Sequence, residues 1–208
     1  MPLSLFAAFW AVSVLFVITP GADWAYAISA GIRGKGVMPA VAGMLFGHLL
    51  AILIVAAGIG SVITAQPQLM HILTLAGALY LAWLGTGVIR RPSIPAASEE
   101  NDITSRAGWA VKGLCISGLN PKVFLLFLAL LPQFTDTHAS WPLPVQMMAM
   151  GMVHLISCGA VYLLVGYGAR IVLKSRPRLA RGVSRVSGIL MIIIALMLIS
   201  EQFYRAVT

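Results

Sequence analysis

GVMPAVAGMLFGHLLAILIVAAGIGSVITAQPQLMHILTLAGALYLAWLGTGVI, residues 36–89, contains no Lys, Arg, Asp or Glu. Lys35 and Arg90 bracket the run. A helix rises 1.5 Å per residue and the hydrocarbon core of a bilayer is about 30 Å thick, so about 20 apolar residues cross it once. The stretch has room for two crossings, with Pro67 marking the turn between them. Such a run is too long and too poorly charged for a core helix of a water-soluble domain.

The same character extends in both directions. Residues 113–169 carry only Lys122 and Asp136 as charged groups. The chain is 60% hydrophobic and 10% charged, against about 25% charged in ordinary soluble domains. The early apolar run from Leu3 to Ile18 has no basic segment ahead of it and no small-x-small cleavage site after it, and is expected to be a retained helix. Six spans are predicted, over 3–31, 37–60, 69–89, 109–132, 145–169 and 186–204. The connection at 90–108, with Pro92, Pro95, Glu99, Glu100 and Asp102, reads as a hydrated loop. Residues 1–208 are therefore expected to form one all-α integral membrane domain. Cys115 and Cys158 both lie in apolar spans and imply no disulfide framework.

The net charge of +8 is distributed as membrane topology requires rather than as a nucleic-acid surface. Arg33, Lys35, Arg90, Arg91, Arg106, Lys112, Arg170, Lys174, Arg176, Arg178, Arg181 and Arg185 all fall on the side of the odd-numbered loops. Arg205 alone falls on the other side, and Lys122 is within a span. The excess of positive charge predicts odd loops in the cytoplasm and both termini outside. The basic fifth loop is either a plain topology signal or also a contact for anionic membrane lipids.

Six spans divide into two sets of three, about 1–89 and 109–208, with faint likeness between them. Pro20 answers to Pro121, His48 to His154 and Gly77 to Gly188. An odd number of spans per repeat inverts one half relative to the other. That plan is common in secondary transporters, which bind substrate near the midplane where the halves meet.

Two motifs lie near that depth: Thr19-Pro20-Gly21-Ala22-Asp23 and Asn120-Pro121-Lys122. Thr and Asn are good N-cap residues, and proline is at ease as the first residue of a helix. Each motif reads as a helix restarting in mid-span, or as a simple proline kink. Two restarted helices would turn unpaired N–H groups and partial positive charge on one point, a seat for a carboxylate. Asp23 and Lys122 are charged groups at membrane depth, where exposure to lipid costs about 2.5–3.5 kcal/mol. They either pair and hold the halves together, or line a cavity in which Asp23 takes an ammonium and Lys122 a carboxylate. Thr19, Pro20, Gly21, Asp23, Asn120, Pro121 and Lys122 are thus candidate substrate contacts. Asp23, His48 and His154 are candidates for proton coupling; the two histidines also admit a metal site or simple packing. Gly43 and Gly47 form a GxxxG that favours close helix contact, within the chain or with a second copy.

Nucleophile elbow, H-E-x-x-H and P-loop motifs are missing, so neither an enzyme nor an ATP-driven pump is expected, and no cofactor or resident metal. The early Thr-Pro-Gly-Ala-Asp break, Gly31, Gly34 and Gly36 after it, the run Ala76-Gly77-Ala78-Leu79-Tyr80-Leu81-Ala82-Trp83-Leu84-Gly85, and Asn120-Pro121-Lys122 leading to Leu131-Pro132-Gln133-Phe134 occur in one order along the chain. Together they resemble the LysE/RhtB amino-acid exporter family. Ala22 departs from the commoner family pattern, which has a second proline there. The resemblance implies a bacterial inner-membrane exporter of amino acids driven by the proton-motive force. Two rivals stay open: a divalent metal-ion exporter using Asp23, His48 and His154, and a membrane thiol–disulfide electron carrier. The first wants more thiolate or carboxylate ligands, and the second needs paired cysteines beside both breaks.

Overall fold

The computed structural model describes residues 2–33, 36–65, 69–90, 105–172 and 177–207. Within these, the side chains at 59–65, 69–71, 73–74, 77, 81, 88, 121–122, 170–172, 177–181, 183–184, 187 and 201–207 are not described. Among the described residues the chain is helical throughout, without strands. The first predicted span is two helices, α1 (Leu3–Ile18) and α2 (Ala22–Arg33). The second and third are α3 (Val37–Ala65) and α4 (Leu69–Arg90). The fourth is again divided, into α5 (Arg106–Gly118) and α6 (Pro121–Leu130), and ends in a 3₁₀ turn, Leu131–Phe134. The last two are α7 (Leu143–Val172) and α8 (Pro177–Val207).

Val37–Gly58 and Leu143–Ala169 are each long and apolar enough to cross a membrane alone. The pairs α1 with α2, and α5 with Val123–Phe134, meet the same test jointly, bent by 57° and 50° at their breaks. Large apolar side chains such as Trp83, Ile156 and Leu164 are exposed on the outside, as suits a solvent of hydrocarbon. α8 begins about two turns before the predicted span. Arg178, Arg181 and Arg185, expected in a loop, thus lie on helix, with Arg185 exposed, while Lys174 and Arg176 lie outside the described residues.

Backbones approach closely where glycine removes the side chain. The GxxxG of α3 meets α5: Gly43 lies on Ala110, and a Cβ on Gly47 would stand 2.6 Å from the Gly118 nitrogen. The partner of the motif is thus within the chain. α4 and α8 cross reciprocally. A Cβ on Gly85 would stand 2.6 Å from the Gly188 carbonyl oxygen, and one on Gly188 would stand 2.7 Å from that of Gly85. After α2, Gly36 lies flat on the Trp109 indole, 2.6 Å from Cδ2 to where a Cβ would be. Of the glycine-rich loop, Gly34 and Lys35 lie outside the described residues.

The packed interior falls into two apolar clusters. One gathers Phe9, Phe16, Ile52, Phe127, Met147 and Met150 among others. The other gathers Val17, Tyr26, Met44, Trp109, Cys158 and Tyr162. His48 on α3 lies between Met44 of one cluster and Ala51 of the other. His154 on α7 likewise lies between Met150 and Cys158. A polar layer is therefore held between two greasy ones.

Candidate functional site

The break between α1 and α2 is built differently from the sequence expectation. Thr19 does not cap α2. It ends α1, where its N–H donates to the Phe16 carbonyl and its hydroxyl to the Leu15 carbonyl. The Trp24 indole N–H reaches back 2.8 Å to the Val17 carbonyl. Proline at position 20 has no N–H to offer the preceding turn, and these three donors supply the carbonyls left at the end of α1. α2 then begins at Ala22, with the Gly21 carbonyl accepting from the Ala25 N–H at 3.0 Å. Restart thus falls two residues later than Pro20, which places Asp23 in the first turn, at the positive end of the helix.

The second break follows the expectation. Pro121 opens α6, and the Asn120 carbonyl accepts from the Val123 and Phe124 N–H groups at 3.0 and 3.4 Å. The side chains of Pro121 and Lys122 lie outside the described residues, as does any pairing of Lys122 with Asp23.

Both breaks face one cavity of ≈ 40 Å³. Thr19, Gly21 and Asp23 come to it from the first break, Asn120 and Val123 from the second, and His48 and His154 from the long helices. Asp23 is the organising group. Its Oδ1 accepts a 2.7 Å hydrogen bond from the Ser117 hydroxyl, and its Oδ2 a 3.2 Å bond from the Tyr162 hydroxyl. His48 Nε2 stands 3.9 Å from the same Oδ2. His48 Nδ1 lies 2.9 Å from the Met44 carbonyl, which can only accept, so Nδ1 carries hydrogen and Nε2 is the atom turned toward the carboxylate. The Asp23 side chain keeps 13% exposure, through the cavity.

A second string of polar groups adjoins this one. His154 places Nδ1 2.6 Å from Ser13 Oγ and Nε2 3.2 Å from Cys158 Sγ. His154, Cys158 and Tyr162 follow one another at four-residue intervals along α7, so this string adjoins the Tyr162 hydroxyl that bonds to Asp23. Phe127 sets its ring edge against both imidazoles, at centroid distances of 6.1 and 5.0 Å. Among these side chains, His48, His154 and Cys158 are of the types that hold a metal. Sequence reading missed Ser13, Ser117, Trp24, Cys158 and Tyr162 as members of the site.

The pattern of LysE type translocators matches residues 14–202. The chain belongs to the LysE type translocator family. The match spans both breaks and every residue of the cavity. Among similar proteins, the leucine efflux protein of Enterobacter sp. strain 638 is 28% identical over 88% of this chain and 91% of its own length. The cysteine/O-acetylserine efflux protein of Salmonella typhimurium strain LT2 is 30% identical over 62% of this chain and 65% of its own. A membrane protein of Pseudomonas aeruginosa, PA4757, is 29% identical over 92% of this chain and 94% of its own. No solved structure matches this chain. As a LysE type translocator the chain is a membrane transporter rather than an enzyme, which leaves the thiol–disulfide carrier without support.

Proposed function

We propose that this chain exports amino acids or similar small zwitterions across the bacterial inner membrane, as a secondary transporter driven by the proton-motive force. One observation carries the reading: a carboxylate, Asp23, stands in a membrane-depth cavity on which two interrupted helices converge. An acidic group held there by Ser117 and Tyr162 is matched to the ammonium of a zwitterion. The N-terminal turns of α2 and α6, with Lys122 on the latter, are matched to its carboxylate. Thr19, Pro20, Gly21, Asn120 and Pro121 shape that seat. The relatives named for leucine and for cysteine and O-acetylserine efflux favour amino-acid cargo over the divalent metal cargo of the rival reading.

In this reading the chain forms six spans as two inverted halves, with both termini in the periplasm. Contacts of α2 with α7 and of α6 with α3 cross between the halves, as such an arrangement needs. Asp23 and His48 share one binding locus, so a proton and an ammonium compete for the same charge, which couples the two without further machinery. His154, held by Ser13 and Cys158, lines the same cavity and extends that locus.

The test is export from dipeptide-fed cells, with intracellular and external amino acids measured with and without the protein. Asp23→Asn and Lys122→Gln are each expected to cut efflux at least about tenfold while the protein still inserts, since each removes a charge-assisted contact worth about 1.5–3 kcal/mol. Normal efflux by both variants would reject the site.

A further inference from the structure

The buried groups beside the cavity include more than amino-acid binding requires. His48, His154 and Cys158 are 2%, 2% and 0% exposed, and one imidazole nitrogen of each histidine and the Cys158 Sγ all lie within 4.8 Å of one another. We propose that these three side chains, with Asp23 as the fourth ligand, form a tetrahedral binding site for a borderline-soft divalent metal, Zn²⁺, whose occupancy plugs the cavity.

The geometry is near what the ion demands. Bonds of about 2.0–2.1 Å to nitrogen and oxygen and about 2.3 Å to sulfur set the ligand atoms of a one-sulfur tetrahedral site roughly 3.3–3.6 Å apart. His154 Nε2 and Cys158 Sγ are 3.2 Å apart, and His48 Nε2 and Asp23 Oδ2 are 3.9 Å apart. The Asp23 carboxylate stands beside His48 but outside the group of three, and has to close in on it to complete the tetrahedron. His154 and Cys158 are four residues apart on α7, one turn, so the helix itself aims both at the same point.

The outer partners are also in place. The Met44 carbonyl holds the hydrogen of His48 on Nδ1 and leaves the Nε2 lone pair for a metal. Ser13 Oγ can accept from His154 Nδ1 and do the same for the second ring. Ser117 and Tyr162 steady the carboxylate. Charge balance suits the depth: Zn²⁺ with one thiolate, one carboxylate and two neutral imidazoles sums to zero, which a low-dielectric interior tolerates. The Cys158 S–H proton is released through the cavity to bulk water as the S–Zn bond forms. His48, His154 and Asp23 face the cavity, which gives the ion its way in.

The experiment uses the purified full-length protein in detergent, stripped with chelator and titrated with Zn²⁺ alone. One ion per chain is expected, and X-ray absorption at the zinc edge should show one sulfur at about 2.3 Å. Loss of an outer-shell partner costs a metal site about 10–100-fold in affinity, so Cys158→Ser and His154→Gln should each cost at least tenfold, and Cys115→Ser nothing. Size-exclusion profiles of each variant show whether it is folded; the near-isosteric Cys158→Ser is the decisive one. In proteoliposomes, Zn²⁺ should inhibit efflux, with an inhibition constant that shifts in Cys158→Ser in parallel with the binding constant, each protein measured against its own zinc-free rate. Zinc without sulfur in its shell, sulfur supplied by Cys115, or zinc carried across the bilayer would overturn the proposal. The inference rests on the cavity but not on the cargo: binding is read without transport and export is read without zinc, so either can fail alone.

Discussion

At the scale of single residues, the site depends on how a carboxylate survives at membrane depth. Asp23 does so by accepting two hydroxyl hydrogen bonds and by standing in the first turn of α2, where the helix end is positive. A donor to a charged group contributes about 1.5–3 kcal/mol, and loss of such a bond lowers an affinity tenfold or more. Tyr162→Phe is therefore expected to weaken zwitterion affinity by about tenfold or more with the helices unchanged; the apparent affinity of efflux in proteoliposomes measures it. An unchanged affinity would mean that the Tyr162 hydroxyl holds helices together and not the ligand-binding charge. Asp23 was legible in the sequence because a charge in an apolar span is expensive and demands a reason. Its hydroxyl partners were not, because Ser117 and Tyr162 are 94 and 139 residues away in the chain and serine and tyrosine are cheap in membranes. One signal was available: His154, Cys158 and Tyr162 recur every four residues, a polar stripe on one face of an otherwise apolar helix.

At the scale of elements, glycine decides which helices touch. Gly85 and Gly188 bring α4 and α8 so close that any side chain at either position meets a backbone carbonyl, which has no rotamer in which to retreat. Gly85→Ala is expected to cost about 1–3 kcal/mol and to lower the temperature at which the detergent-solubilised protein aggregates by several degrees. Gly87, two residues on, has nothing within 4 Å of a built Cβ. Gly87→Ala should leave that temperature unchanged or raise it, since glycine inside a helix costs roughly 0.8–1.0 kcal/mol relative to alanine. Equal effects at the two positions would contradict the crossing. Helix extents were legible because apolar runs of span length mark them: three predicted starts, at 3, 37 and 69, coincide with observed ones, and every other end falls within nine residues. The first break was legible in place but not in detail. Pro20 announced it, yet whether Thr19 would cap backward or forward depended on Trp24 reaching round to Val17, a tertiary contact that local pattern does not contain.

At the scale of the whole molecule, the arrangement is a polar layer closed on two sides. Cluster residues from Phe9 to Met150 lie on one side of His48 and His154, and those from Tyr26 to Trp109 on the other. The space between is ≈ 40 Å³, enough for about three waters at 10–15 Å³ each. Small-molecule pockets usually run to about 300 Å³ or more, so the space has to widen for cargo to be enclosed in it and to pass. The bends of 57° and 50° mark where that motion has least to break, because the interrupted helices carry no continuous backbone hydrogen bonding across them. An opening on one side at a time is the requirement of coupled transport, and it can be read directly. With Cys115 and Cys158 changed to Ser, Ala22→Cys puts a single thiol on the cavity wall beside the first break. A membrane-impermeant thiol reagent should label it from the cytoplasmic face and from the periplasmic face, each slowly, and cargo should slow both reactions. Fast labelling from both faces at once would describe an open channel; labelling from neither, with or without cargo, would describe a sealed core, and in that case Asp23 would be a structural charge and the two clusters a single interior.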